Sequence, residues 1–130
     1  MHKFFLLAGT ALGGVSVMIG AFGAHALRNA LTVSGRLETF ETAVRYQFYH
    51  ALALVMLGLF VFRANAPALR PNLFSYAGYC FLAGIFVFSG SLYVLCLTNV
   101  RQWGAVTPLG GLFLIAGWAL WFWGVWQSER

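Results

Sequence analysis

Long apolar stretches alternate with short polar connections along the whole chain. The four stretches cover about 4–27, 46–62, 73–97 and 105–126, and each is about 17 to 25 residues long. A helix needs roughly 20 apolar residues to cross about 30 Å of hydrocarbon. The pattern therefore predicts an all-α fold, an integral membrane bundle of four transmembrane helices.

The connection between the first two stretches has a helical pattern of its own. Leu37 and Phe40 fall on one face of this pattern, while Glu38 and Glu41 fall on another. The pattern predicts an amphipathic helix over about 34–45, which lies in the membrane interface and leads into the second span.

Small residues recur at helical spacing in the first and fourth stretches. Gly9 and Gly13 are four residues apart, and Gly110, Gly117 and Gly124 repeat every seven residues. Small side chains allow helices to approach closely in a membrane, where packing has to drive association. We expect these positions to contact neighbouring helices of the bundle in preference to a second copy.

Composition supports a single transmembrane domain over residues 1–130. Hydrophobic residues make up 61% and charged residues 8%, whereas a typical soluble domain has roughly 25% charged residues. The net charge is +5, but the basic residues stand singly at the ends of apolar stretches, where they contact lipid headgroups. No basic run contains interleaved aromatic residues, so nucleic acid is not expected as a partner.

Four consecutive spans bring the first and third connections to the same face of the membrane. The residues on or near that face that could bind a ligand are His25, Glu38, Glu41, Arg45, Tyr46, His50, Arg101 and Thr107. Lysine and arginine number four on each face. Because Arg45 is assigned to the polar cluster and not to free solvent, we expect both termini in the cytoplasm.

Several blocks of sequence resemble a known protein family. The blocks GAFGAHAL (20–27), FSGSLY (88–93) and TPLGG (107–111), with the run 42–53, are similar to the bacterial YgdD-like family of unknown function. The family is described as small four-span inner-membrane proteins, with relatives among small mitochondrial transmembrane proteins. The resemblance implies the fold and the inner membrane as location, and it implies no activity.

The polar face that leads into the second span is the strongest candidate site. Glu41 and Arg45 are spaced i,i+4 with the acid first, the favourable order for an ion pair. Tyr46 and His50 form a second i,i+4 pair, and an ionisable group at membrane depth usually has a partner inside the bundle. Two interpretations stay open, a polar ligand pocket and an ion pair that holds the amphipathic helix against the bundle.

Metal and haem binding have weaker support. His25 ends the first span at a depth similar to that of His50, and two histidines with Glu38 or Glu41 would suit zinc. Histidines on facing helices would also suit haem. No ligand spacing such as H-x-x-x-H accompanies them, so no metal or cofactor is expected, and a histidine bonded to a backbone carbonyl is the alternative.

The start of the fourth helix is a further candidate. Threonine is a good N-cap and proline suits the first helical position, so Thr107 and Pro108 predict the helix start there. Free N–H groups after Thr107, with Arg101 and Arg45 on the same face, would favour an anion such as a lipid phosphate. An ordinary capped helix end is the alternative.

Enzymatic chemistry has little support in the sequence. The chain contains no aspartate, and Glu38 and Glu41 lie on one helical turn, too close together to flank a substrate. Ser89 or Ser91 with His50 would be needed for peptidase chemistry, and no motif supports that pairing.

Three functional hypotheses follow from these patterns. The leading one is a non-enzymatic scaffold or accessory subunit, which packs as a homo-oligomer or with another membrane protein in the lipid bilayer. The alternative is a small binding or transport protein for a proton, a small anion or a lipid headgroup. The third is an enzyme or redox subunit that uses His25 and His50.

Overall fold

Six α-helices build the described part of the molecule. A computed structural model describes residues 2–63 and 71–128, and within these ranges it contains no strand. The helices are α1 (His2–Ala24), α2 (Arg28–Val33), α3 (Leu37–Arg63), α4 (Pro71–Gly84), α5 (Gly90–Thr98) and α6 (Trp103–Ser128). A π-helical segment, Ile85–Ser89, joins α4 to α5 with no non-helical residue between them.

Four of the resulting helical stretches are long and apolar enough to cross a membrane. They comprise His2–Ala24, Leu37–Arg63, Asn72–Thr98 and Trp103–Gln127, with lengths of 23 to 27 residues. This finding confirms the predicted all-α membrane bundle with four spans.

The segment between the first two spans differs from the sequence-based expectation. The residues predicted as a separate amphipathic helix contribute the first turns of α3, which continues unbroken from Leu37 to Arg63. Phe40 is buried against Leu31 and Cys96, so this part of the chain is held inside the bundle. The short helix α2 was not predicted.

A glycine turn connects α2 to α3. Gly35 has a φ of +67° and follows the end of α2. The Arg36 N–H donates to the Leu31 carbonyl and the Gly35 N–H to the Thr32 carbonyl, which is the hydrogen-bond pattern of a Schellman motif. The left-handed backbone at Gly35 explains why glycine is used at this position.

The spans pack as two antiparallel pairs, α1 with α3 and the α4–α5 helix with α6. Gly9 of α1 contacts α3 so closely that an added Cβ would lie 2.7 Å from the Ala51 carbonyl oxygen. Gly58 of α3 is similarly close to Leu6. The predicted use of small residues inside the bundle is confirmed at Gly9, whereas Gly13 has no neighbour within 4 Å.

In the second pair, phenylalanines of one helix pack against glycines of the other at regular intervals. The three facing pairs are Phe74 with Gly124, Phe81 with Gly117, and Phe88 with Gly110. Both series repeat every seven residues in opposite chain directions, so one antiparallel register accounts for all three contacts. The predicted glycine stripe of the fourth span is therefore confirmed as a packing surface, and its partner is the preceding span.

Candidate functional site

His50 lies buried in α3 and joins it to α6. The indole N–H of Trp118 donates to His50 Nε2 at 3.1 Å, and His50 Nδ1 lies 2.8 Å from the Tyr46 carbonyl oxygen. An indole nitrogen can only donate, so Nε2 accepts and the ring hydrogen is on Nδ1, where it donates to Tyr46. Both nitrogens of a neutral imidazole are thus occupied by the protein itself.

A glutamine joins three helices at the centre of the bundle. Gln47 of α3 is buried, and its Oε1 accepts a hydrogen bond from the Tyr93 hydroxyl of α5 at 2.8 Å. Its Nε2 donates to the Leu12 carbonyl of α1 at 3.2 Å. Sequence reasoning placed Tyr93 on the same membrane face as the candidate residues but did not select Gln47, although a glutamine inside an apolar stretch is a recognisable signal of an interhelical hydrogen bond.

Ser89 and Ser91 form further hydrogen bonds between helices. Ser89, at the end of the π-helical segment, donates to the Ala43 carbonyl of α3 at 2.7 Å. Ser91 of α5 and Thr107 of α6 share a hydrogen bond of 2.7 Å between their hydroxyls. Ser89 and His50 connect the two antiparallel pairs, whereas the Ser91–Thr107 hydrogen bond lies within the second pair.

The start of α6 is a correction to the sequence-based expectation. The helix begins at Trp103 and not at Thr107. The N–H groups of residues 103–105 donate to the carbonyls of residues 100–102, which forms the first turn before Thr107 is reached. Thr107 is therefore not an N-cap, and the predicted anion site on free N–H groups behind it does not form.

Glu41 and Arg45 form the predicted ion pair, at 2.8 Å. Their side chains are half exposed, 50% and 54% respectively. Both line a groove between α1 and α3 that also contains Gly20 and Ala24. Arg45 and Tyr49 further line a larger groove of about 490 Å³ along the same helix pair.

Glu38, Tyr46 and His50 line clefts against α6 and not the groove against α1. Glu38 and Thr107 line one cleft between α3 and α6, and Tyr46 and His50 line a second one along the same seam. The residues predicted as one polar cluster are therefore divided between a groove against α1 and clefts against α6.

The remaining predicted residues lie in exposed turns. His25 follows α1 and Arg101 precedes α6, and both are exposed. His50 is buried, so the two histidines do not share an environment. Within residues 2–63 and 71–128, no group of three or more His, Cys, Asp or Glu side chains is arranged to hold a metal ion.

These features define a small four-span membrane protein with interhelical hydrogen bonds on its buried face. Residues 19–111 match the family described as "Protein of unknown function (DUF423)", and the chain belongs to this family. The expected resemblance is confirmed.

Relatives of the same family are similar to the chain over nearly its whole length. A "UPF0382 membrane protein" of Staphylococcus haemolyticus is 41% identical over 118 residues, which is 91% of each protein. The "UPF0382 inner membrane protein YgdD" of Escherichia coli K12 is 40% identical over 131 residues, covering 98% of this chain and 93% of the relative. No solved structure matches the chain. Like this Escherichia coli relative, the chain is a multi-span inner-membrane protein.

Proposed function

We propose that the protein is a non-enzymatic membrane subunit that packs with a second copy or within a larger membrane complex. The observation that carries this proposal is the use of its buried polar side chains. Gln47, His50, Ser89 and Ser91 all bond to other helices of the same chain. Polar side chains that are hydrogen-bonded between helices of the bundle favour a structural role over a catalytic one.

The outer face of α1 supports an association through that helix. Nothing lies within 4 Å of a Cβ added at Gly13 or Gly14, and Thr10 on the same helix is exposed, with its hydroxyl donating to the Leu6 carbonyl. A glycine inside a helix is about 0.5 to 1 kcal/mol less favourable than alanine. Uncovered glycines in a membrane helix are consistent with a close neighbour on that side.

A matched pair of variants tests this proposal. Gly14→Leu fills the outer face of α1, while Gly90→Leu adds the same side chain at a glycine of α5 that also faces open space. We expect Gly14→Leu to lower the resonance energy transfer between labelled copies, or the recovery of a crosslinked partner, and Gly90→Leu to leave both unchanged. If crosslinking of the unsubstituted protein in the membrane gives only monomers and no partner, the proposal is contradicted.

A binding or transport protein for a proton, a small anion or a lipid headgroup is the second candidate. It is favoured by Arg45, which is half exposed and borders the groove of about 490 Å³ between α1 and α3. Arg45→Ala should then abolish binding or flux and leave the yield of folded protein nearly unchanged. Unchanged binding in Arg45→Ala would remove this candidate.

A further inference from the structure

The seam between α3 and α6 contains two clefts that share the Phe88 side chain, an upper one with polar side chains and a lower, mainly apolar one. Glu38, Thr42, Tyr46 and His50 follow one another at intervals of four residues on α3, which is about 6 Å of rise per step. Thr107, Gly111, Ile115 and Trp118 follow on α6 at intervals of three or four residues. The same side chain, Phe88 of the π-helical segment, lines both the upper and the lower part of the seam.

The upper part of the seam is about half polar, because Phe88 and Leu92 line it beside the polar side chains. It has a volume of about 410 Å³ and is lined by Glu38, Thr39 and Thr42 of α3 and by Thr107 of α6. The Thr42 hydroxyl donates to the Glu38 carbonyl, and the Thr107 hydroxyl bonds to Ser91. Within the described residues Glu38 forms no ion pair, in contrast to Glu41, which is paired with Arg45.

The lower part of the seam is aromatic and aliphatic. It has a volume of about 410 Å³ and is lined by Tyr46, His50 and Phe88 on one side and by Leu114, Ile115 and Trp118 on the other. The Tyr46 ring stacks on Phe88 with ring centroids 4.6 Å apart. Because both His50 nitrogens are engaged by Tyr46 and Trp118, this part offers mainly apolar surface.

We propose that this seam binds a phospholipid whose headgroup carries a primary ammonium, such as phosphatidylethanolamine. The ammonium donates to the Glu38 carboxylate, the threonine hydroxyls contact the rest of the headgroup, and an acyl chain lies between Tyr46 and Trp118. The polarity of the seam matches that of a lipid, with an unpaired acid at the headgroup end and apolar walls below it.

The chemistry of Glu38 selects the headgroup. A carboxylate only accepts hydrogen bonds, so it prefers an ammonium with N–H groups over the N-methylated ammonium of phosphatidylcholine. A net anionic headgroup such as phosphatidylglycerol would place a phosphate near Glu38 without a cation to pair with it.

The π-helical segment is an independent feature of the same site. Ile85–Ser89 is the only π-helical stretch in the described residues, and it supplies Phe88 to both parts of the seam. Single π-helical turns are rare and occur frequently at functional sites. The proposal does not depend on packing with a second copy, because the seam is formed by one chain.

Native mass spectrometry of the protein, released from vesicles with equal amounts of phosphatidylethanolamine, phosphatidylcholine and phosphatidylglycerol, tests the headgroup. We expect phosphatidylethanolamine to be retained about tenfold more than either of the other two lipids. A tenfold ratio corresponds to the free energy of about one charge-assisted hydrogen bond. Glu38→Gln should remove this preference. Glu41→Gln is the matched control and should keep the preference, because Glu41 is one turn away, lines the groove against α1 and is paired with Arg45.

Gly111→Leu tests the lower part of the seam. A Cβ at Gly111 would contact the Phe88 ring at 3.8 Å, so a leucine occupies the cleft without a close clash at its Cβ. We expect it to reduce retention of all three lipids, while circular dichroism confirms a folded bundle, and Gly90→Leu should retain lipid normally. Ethanolamine alone should not displace the lipid, because it lacks the acyl chain.

The following results would overturn the proposal. They are retention of phosphatidylglycerol over phosphatidylethanolamine, equal losses in Glu38→Gln and Glu41→Gln, and normal retention in a folded Gly111→Leu protein. Displacement by ethanolamine alone would likewise exclude an acyl-chain site in the seam.

Discussion

Trp118 donates its indole N–H to Nε2 of His50 across 3.1 Å, and this hydrogen bond joins the fourth span to the second. The histidine is only 6% exposed, and the Phe81 ring packs against it with ring centroids 5.6 Å apart. A histidine at membrane depth is usually considered a functional group. Here its neutral imidazole is held by two protein partners, so its first role is to link helices.

Trp118→Phe should destabilise the bundle. The substitution keeps an aromatic ring and leaves Nε2 of a buried imidazole without a donor, which we expect to lower the free energy of unfolding by about 1 to 2 kcal/mol. Denaturation by a mixed-detergent titration would measure this. Trp123→Phe is the matched control, since Trp123 is 52% exposed, and an equal loss in both variants would contradict the role of the hydrogen bond.

Gly110→Ala should destabilise the bundle, although it adds only one methyl group. A Cβ at Gly110 would collide with backbone atoms of Phe88. Rotation of a side chain cannot relieve this contact. We expect a loss of about 1 to 3 kcal/mol from overpacking. Gly90→Ala, at a helical glycine with no neighbour within 4 Å, should be neutral or slightly stabilising, and thermal unfolding in detergent compares the two.

Gln47 and Tyr93 should be energetically coupled. The Tyr93 hydroxyl donates to Gln47 Oε1 at 2.8 Å, so removing either partner leaves the other unsatisfied. A double-mutant cycle with Gln47→Leu and Tyr93→Phe should give an interaction energy of about 0.5 to 2 kcal/mol. Strictly additive losses would show that this hydrogen bond does not contribute to stability.

The Glu41–Arg45 ion pair should contribute little to folding. Both side chains are half exposed, and exposed ion pairs typically contribute about 0.2 to 1 kcal/mol. Glu41→Gln should therefore change the unfolding midpoint by less than Trp118→Phe does. A loss as large as that of Trp118→Phe would contradict this small contribution.

The spans could be predicted from the sequence because membrane thickness requires a minimum length of apolar helix. The glycine repeat of the fourth span also indicated a packing face. Its partners were not identified, because Phe74 and Phe81 look like ordinary apolar residues until the antiparallel register is known.

The polar cluster was predicted less well. His50 and Glu41 were found by their spacing, but Trp118 lies 68 residues from His50, and no local pattern connects them. The helix start at Trp103 was missed because Thr107 and Pro108 are a good cap pair, and the carbonyls of residues 100–102 satisfy an earlier first turn.

Native mass spectrometry of the protein ejected directly from its own membrane tests the proposed packing function most directly. The proposed function predicts a mass that contains more than one polypeptide, either a homo-oligomer or this chain with another membrane protein. A single chain, alone or with only lipid bound, would contradict the packing function and favour a binding protein.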